Sequence, residues 1–276
     1  MTSGLTPAQV TCFHENGFVF PIDVLSAAEV ASIRGRMADV EAADPAAFAE
    51  VNRNNAHLAY DFFDEIVHHP RIADAVADLI GPDILALSTV VFAKDGHSAS
   101  FVSWHQDGRY TALSEDLAVT AWVALTDSTV ENGCMQMAPG THKGAYLSHQ
   151  DTFAHDNILT RGQAIDGLDT STAVDVILKP GQMSLHHWRV AHASAPNRSK
   201  HRRIGFAVQA YIPPTTQQLE GRGFVQTVRG QNRTGNMQEI PRVRVSGHPD
   251  GLAVRDRINA QWLDQLYDGA ADRRSM

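Results

Sequence analysis

Two stretches of this sequence are the most informative about its fold: Trp104-His105-Gln106-Asp107 and His192-Ala193-Ser194-Ala195-Pro196-Asn197-Arg198-Ser199. Successive residues of a strand point to opposite faces, so His105 and Asp107 project together while Gln106 points away. His192 supplies a second imidazole much later in the chain. Two histidines and one carboxylate form the ligand set that holds a non-haem Fe(II) on one face and leaves its other positions open. The two stretches therefore predict a metal site assembled from distant parts of the chain.

Arg203 follows the second stretch and opens a segment, residues 204–212, that has the apolar character of a buried strand. Upstream, Pro180-Gly181 suits the central positions of a type II turn, which predicts a further strand leading towards His192. A strand, a turn-rich loop and a returning strand would bring His192 and Arg203 close together. A guanidinium set back from a metal can hold a distant carboxylate through two hydrogen bonds. These residue types indicate a site for a metal-chelating keto acid and O2.

The composition favours a globular protein with one large core. The chain has 276 residues, of which 43% are hydrophobic, and a single domain over residues 1–276 is expected.

The net charge is −8 and no run of Lys or Arg stands out, which argues against nucleic acid and anionic membranes as partners. Only Cys12 and Cys134 occur, so neither a disulfide framework nor a zinc knuckle is expected. The low cysteine content favours a reducing compartment, and we expect the protein to be cytoplasmic. The oligomeric state is not predicted. No secretory signal and no apolar run of about 18 residues are recognisable.

The N-terminal part, about residues 6–81, is predicted to be helical. Residues 6–9 and 26–29 each begin with a hydroxyl side chain and end with Gln or Glu, which is the pattern of a capping box. A third helix is predicted over residues 71–80, between a proline and a Gly-Pro pair.

The apolar pattern changes to a period of two in the core, about residues 84–212, most clearly over residues 117–125. The polar stretch 140–172 is predicted to be a long insertion between strands, and long loops of this kind are often lids. Residues 213–276 are predicted to be a mostly irregular tail with a short helix near residues 252–267. Helices followed by many short strands around one metal predict a mainly β fold with flanking helices, either a β-sandwich or a jelly roll.

The motifs resemble the phytanoyl-CoA dioxygenase family of Fe(II)- and 2-oxoglutarate-dependent oxygenases. The resemblance covers roughly residues 8–212. Besides the two stretches quoted first, it rests on Phe13-His14-Glu15-Asn16-Gly17-Phe18-Val19, Val130-Glu131-Asn132-Gly133-Cys134 and Ala138-Pro139-Gly140-Thr141-His142-Lys143-Gly144. The H-x-D pair is weak evidence alone, whereas all these blocks in the same order are specific.

The resemblance implies a double-stranded β-helix, the cupin-like jelly roll, with His105, Asp107 and His192 as catalytic iron ligands. It implies that Arg203 binds the far carboxylate of 2-oxoglutarate, that Ser194 adds a hydrogen bond and that Trp122 lies beside this cosubstrate. Fe(II), 2-oxoglutarate and O2 would then support hydroxylation of an unactivated C–H bond, with succinate and CO2 released. Halogenating relatives replace the carboxylate ligand with a small residue, so Asp107 favours hydroxylation.

The substrate is expected to be a small metabolite. No pattern for binding a CoA ester is recognisable, and we expect an anionic or zwitterionic compound, such as a phosphonate or an amino-acid-like molecule, or a natural-product intermediate. Asn55, His57, Arg109 and Tyr110 are the candidates for binding it. His57 is also the candidate for a basic residue that the family often places upstream, in contact with 2-oxoglutarate.

Two other classes remain open from the sequence. A zinc-type metallohydrolase also uses two histidines and a carboxylate, and a jelly roll with this ligand set could be a catalytically silent binding module. Ser194 and Arg203 after the second histidine favour the oxygenase. Among the other histidines, His142 is predicted to be structural, and either His186 or His187 is a candidate for lining the site.

Overall fold

The structure is a computed structural model that describes residues 4–267, apart from the side chain of Tyr110. Within this part of the chain the α-helices are α1 (Pro7–Asn16), α2 (Ala27–Ala43), α3 (Asp61–Val67), α4 (Pro70–Ile80) and α5 (Pro249–Leu266). Short 3-10 helices span Glu50–Arg53, Ala56–Leu58, Asp107–Tyr110 and Thr141–Lys143. The strands, numbered along the chain, are β1 (Phe18–Asp23), β2 (Ile84–Ala86), β3 (Thr89–Lys94), β4 (Val102–His105), β5 (Val119–Ala124), β6 (Met135–Met137), β7 (His149–Asp151), β8 (Gln163–Ile165), β9 (Val174–Val176), β10 (Gln182–His187), β11 (His192–Ser194), β12 (Arg203–Ile212), β13 (Gly223–Arg229) and β14 (Met237–Glu239).

Two main sheets form the jelly-roll core that the motifs implied. The larger sheet has the order β1-β10-β5-β12-β2-β13-β14, with β3 also paired to β12, and the smaller sheet has the order β4-β11-β6-β9. Apart from β13 with β14, the pairs in these sheets are antiparallel. The predicted mainly β fold with flanking helices is therefore confirmed.

The alternation in β5 explains how the layers stack. Ala121 and Val123 belong to the cluster between the larger sheet and the helices, whereas Trp122 and Ala124 belong to the cluster that also contains residues of the smaller sheet. The helices cover the outer face through aromatic side chains, with the rings of Phe63 and Phe206 stacked at 4.6 Å. The inner face of the larger sheet is thereby left for the interior of the jelly roll.

The N-terminal helices begin where the sequence predicted. Both capping boxes are formed, at Thr6 with Gln9 and at Ser26 with Glu29, and the third predicted helix corresponds to α4. Among the described residues, none of the helices combines the length and apolar character needed to cross a bilayer.

The prediction of a mostly irregular tail after residue 212 is wrong. β13 pairs with β2 and extends the larger sheet, and α5 begins at Pro249, earlier than expected. Ile258 of α5 packs with Leu58 and Phe224 in a small cluster, so contacts with remote segments stabilise elements whose local signals are weak. Residues 268–276 lie outside the described residues, and the single-domain organisation stays a prediction.

Candidate metal centre

Three side chains converge where β4 meets β11. His105 ends β4 and lies opposite His192, the first residue of β11, in the antiparallel register. Asp107 begins the 3-10 helix that follows β4. One ligand atom from each of the three side chains lies within 4.8 Å of the others. Asp107 Oδ1 is 3.3 Å from His105 Nε2 and 3.8 Å from His192 Nε2. The described residues contain no other group of three such side chains.

Hydrogen bonds fix which nitrogen of each histidine faces the centre. The Nδ1 of His105 lies 2.9 Å from the carbonyl oxygen of Ser103, and the Nδ1 of His192 lies 2.9 Å from that of Val190. A carbonyl only accepts, so each Nδ1 carries the hydrogen and each Nε2 presents a lone pair towards Asp107. This tautomer is the one that binds a metal through Nε2.

Electrostatics keep His192 and Asp107 in the state that a metal needs. Burial, aided by His105, lowers the pKa of His192 to about 3, so its imidazole is neutral near pH 7. Burial alone would raise the pKa of Asp107, but His192, His105 and His186 outweigh it and hold that pKa well below 3.8. Asp107 is therefore ionised. A neutral imidazole and a carboxylate are ready to bind a cation without losing a proton.

Two side chains of the larger sheet lie behind Asp107. The Thr120 hydroxyl is 3.1 Å from Asp107 Oδ2, and His186 Nε2 is 3.7 Å from the same oxygen. His186 is fully buried and neither of its ring nitrogens has a hydrogen-bond partner. Its ring lies 4.8 Å from that of His192. His186 thus lines the site, whereas His187 lies beside Phe13 and His142.

A cavity of about 500 Å³ extends from the three ligands to Arg203. It is lined by Phe92, Val102, His105, Asp107, Thr120, Trp122, Met135, Leu159, His186, His192, Ala193, Ser194, Arg203, Ala207 and Gln209. The structure thus brings His105, Asp107, His192, Arg203, Ser194 and Trp122 to one cavity, as the sequence predicted.

Arg203 is a buried cation whose contacts are with uncharged groups. Its guanidinium is 5.1 Å from the centre of the Trp122 ring and donates to the carbonyl oxygen of Gly133. Its Nε has no hydrogen-bond partner. Among the ion pairs of the described residues none involves Arg203, and burial lowers its pKa to about 10. A buried charge of this kind is costly unless a ligand of opposite charge binds it.

A second cavity, of about 810 Å³, reaches His105 and Asp107 and has walls from distant parts of the chain. The lining combines aromatic, aliphatic and polar side chains: Arg53, Asn54, Leu87, Ser88, Val90, Phe92, His105, Asp107, Thr111, Ile158, Leu159, Thr160, Gln163, Trp188, Gln209, Ala210, Trp262 and Leu266. The insertion at 140–172 and α5 both contribute to it. Sequence reasoning missed Arg53 and Trp262, because no local motif marks residues that meet only after folding.

Three of the four predicted substrate-binding residues, Asn55, His57 and Arg109, do not line these two cavities. His57 is buried, with its Nδ1 2.8 Å from the Thr89 hydroxyl, and burial lowers its pKa to about 3. Asn55 bonds to Asn259 and lines a neighbouring cavity that shares Trp262 with the second cavity. Arg109 is exposed and lines a separate groove. The backbone of Tyr110 ends the 3-10 helix, and its side chain lies outside the description.

A jelly-roll core with two histidines and one carboxylate at a buried cavity is the arrangement found in non-haem iron oxygenases. The chain belongs to the phytanoyl-CoA dioxygenase (PhyH) family, whose sequence profile matches residues 13–205.

Known relatives agree with this class. A Stutzerimonas stutzeri protein named "Probable alpha-ketoglutarate-dependent hypophosphite dioxygenase" is 30% identical over 161 residues, 55% of each chain. The chain therefore spans about half the length of this curated relative. The solved structure of apo ThoJ, a non-heme monooxygenase, is 34% identical, with a TM-score of 0.81, and the match covers 96% of this chain and 100% of that one. The epimerase SnoN, solved with Fe3+, alpha ketoglutarate and nogalamycin RO, is 25% identical, with a TM-score of 0.64 over 76% of this chain and 84% of its own.

Proposed function

We propose that this protein is an Fe(II)- and 2-oxoglutarate-dependent dioxygenase that hydroxylates an unactivated C–H bond of a small metabolite. One observation carries the proposal: a cation-ready set of two histidines and an aspartate shares a cavity with a buried arginine that has no carboxylate partner among residues 4–267. Iron and a keto acid with a second carboxylate would satisfy both groups at once.

The ligand set fits a ferrous ion. His105, Asp107 and His192 would hold it, since each offers one nitrogen or oxygen atom towards a common point. Both imidazoles present Nε2, and the backbone carbonyls fix their orientation. When bound, iron and 2-oxoglutarate supply the activation of O2 that hydroxylation requires, with succinate and CO2 as co-products. Three protein ligands leave positions for a chelating keto acid and for O2.

The cavity fits 2-oxoglutarate. Arg203 would bind its far carboxylate, because a guanidinium matches that group with two parallel hydrogen bonds. Ser194 lines the same cavity and offers a hydroxyl, and the ring of Trp122 forms a wall beside the guanidinium. Burial of Arg203 strengthens its attraction for the carboxylate, since little water screens the pair.

The second cavity would hold the substrate. It reaches His105 and Asp107, as the first cavity does, so a substrate in it would lie beside the metal. Phe92, Trp188 and Trp262 provide apolar walls that orient the reacting carbon and exclude water. Arg53, which also donates to the carbonyl oxygen of Ile158, is a cationic residue of this lining, and an anionic or zwitterionic metabolite would suit it. Asp107 occupies the ligand position that halogenating relatives leave to a small residue, which supports hydroxylation.

A turnover assay tests the proposal. The purified protein is incubated with Fe(II), 2-oxoglutarate and O2 and with a panel of phosphonates, amino-acid-like compounds and natural-product intermediates, and succinate and hydroxylated product are measured. At least one compound should stimulate succinate formation. Asp107→Ala should abolish that stimulation, and the exposed Asp169→Ala should retain it.

Two results would contradict the proposal. Hydrolysis supported by zinc without oxygen consumption would identify a metallohydrolase. Tight binding of a panel compound without any turnover, while Fe(II) and 2-oxoglutarate are bound, would identify a catalytically silent binding module.

A further inference from the structure

Lys94 is a buried lysine that the proposed chemistry does not use directly. It ends β3, and its partner across the ladder with β12 is Arg203. Only 1% of its surface is exposed. Its ammonium nitrogen lies 2.7 Å from the Ser194 hydroxyl oxygen, 2.6 Å from the carbonyl oxygen of Ala195 and 3.3 Å from that of Ser194. An ammonium has three N–H donors, and three oxygens of the segment after His192 surround it.

Within the described part of the chain, no acidic side chain pairs with Lys94 or Arg203. Burial, together with Arg203, lowers the pKa of Lys94 to about 6, so near pH 7 the side chain is mostly a neutral amine in the free protein, and a carboxylate bound beside it favours the ammonium. The nearby Cys134 thiol does not serve as a counterion, because burial raises its pKa to about 11. Two buried positive groups on adjacent strands are costly in the free protein, and a bound anion reduces that cost.

The contact with Lys94 determines the direction of the Ser194 hydroxyl. When Lys94 is protonated its ammonium can only donate, so in that state Ser194 Oγ accepts from Lys94 and its own hydrogen points elsewhere. Ser194 lines the cavity that also contains Arg203. A hydroxyl held in this way presents its hydrogen to a carboxylate at Arg203, whereas an unheld hydroxyl rotates among several orientations.

We propose that Lys94 is a positioning residue for the keto acid: its ammonium orients the Ser194 hydroxyl to donate to the far carboxylate of 2-oxoglutarate, and its charge adds to that of Arg203 there. The proposal rests on the proposed function, because it presumes that 2-oxoglutarate binds in this cavity. Lys94 itself does not line the cavity and acts through Ser194.

A double-mutant cycle tests the proposal. The affinity of the Mn(II)-loaded protein for 2-oxoglutarate is measured by calorimetry for wild type, Lys94→Met, Ser194→Ala and the double variant. Loss of one hydrogen bond to a charged group weakens binding by about 10-fold or more, so each single variant should show at least that loss. The double variant should be no more than about 3-fold weaker than Lys94→Met, since residues that act through one another are not additive.

A second keto acid separates positioning from general damage to the fold. 2-Oxovalerate has the same chelating end as 2-oxoglutarate but lacks the far carboxylate. Lys94→Met should leave its affinity unchanged, whereas a distorted cavity would weaken both keto acids. Lys94→Gln keeps an N–H donor near Ala195 without the charge and replaces Lys94→Met if the latter does not fold. Lys179→Met, at an exposed position, is the matched control.

The outcomes distinguish the two proposals. A wild-type protein that binds no 2-oxoglutarate overturns the proposed function itself. If wild type binds it, then additive losses in the cycle, unchanged affinity in both Lys94 variants, or equal losses for both keto acids each overturn the role of Lys94.

Discussion

Replacing Arg203 with methionine should leave the free protein about as stable as before while removing much of its affinity for 2-oxoglutarate. The fall in the pKa of Arg203 from 12.5 to about 10 corresponds to a burial cost of about 3 kcal/mol for the charged form. The hydrogen bond to Gly133 offsets about 2 kcal/mol of that cost, and the Trp122 ring about 1 kcal/mol. These contributions nearly cancel.

The expected change in the free energy of unfolding is therefore within about 1 kcal/mol, whereas breaking a buried ion pair typically costs about 3–5 kcal/mol. Methionine has a similar reach and fills the space with an apolar chain. For 2-oxoglutarate, loss of a buried charge partner costs about 2 kcal/mol or more, which is at least about 30-fold in affinity.

Urea unfolding of the metal-free protein measures the first quantity, and calorimetry of the Mn(II)-loaded protein measures the second. Arg202→Met is the matched control, because Arg202 pairs with Glu41 at 2.8 Å and with Asp95 at 3.0 Å. Its loss should cost up to about 1 kcal/mol of stability and leave keto acid binding unchanged. The reasoning is refuted if Arg203→Met lowers stability by about 3 kcal/mol or more, or binds 2-oxoglutarate as wild type does.

Three further results are expected. Burial lowers the pKa of His57 to about 3 and that of His187 to about 4, both below 6.5. The unfolded chain therefore binds protons that the folded protein does not, and urea titrations should show stability falling as the pH drops from about 6.5 towards 4. His57→Gln should reduce this dependence, and an unchanged slope would contradict the assignment. Mn(II) affinity can be measured by electron paramagnetic resonance. His186→Phe should weaken it by about 10-fold, because His186 contacts the ligand Asp107 and not the metal, and Asp107→Ala should weaken it by more than about 100-fold. Wild-type affinity in Asp107→Ala would exclude Asp107 as a ligand. Trp262→Ala should raise the substrate KM by about 10-fold with 2-oxoglutarate affinity retained, and a loss confined to 2-oxoglutarate would place Trp262 elsewhere.

The role of His186 illustrates a partial success of sequence reasoning. The sequence offers His186 and His187 as candidates for lining the metal site, but alternation along a strand leaves open which of the two faces the cavity. In the structure His186 pairs with Thr120 across β10 and β5, and both lie behind Asp107. The pairing of β10 with β5 in the larger sheet, and not the local pattern, decides which of the two histidines faces the cavity.

The residues that line the second cavity could not be predicted from the sequence. Trp262 and Leu266 belong to a helix predicted as part of an irregular tail, and Arg53 precedes the metal-binding stretch by a long segment. Arg109 and Tyr110 are candidates because they follow the His105–Asp107 pair, whereas no motif marks Asn55 or His57, and the structure uses these two for internal hydrogen bonds. Proximity in sequence was a poor guide, because cavity walls come from whichever elements pack together.

The sequence by itself determined the elements whose cause is local. A hydroxyl and a carboxyl or amide three residues apart cap a helix within one turn, as at Ser26 and Glu29. The alternation in residues 117–125 follows likewise from the geometry of a single strand. The strand geometry expected for His105 and Asp107 is not the one observed, because β4 ends at His105 and Asp107 begins a 3-10 helix. Tertiary structure alone decided that Lys94 touches Ser194 and that Arg203 has no acidic partner among the residues that the structure describes. These facts depend on the register between strands and on what burial excludes, and neither is encoded in any short stretch of chain.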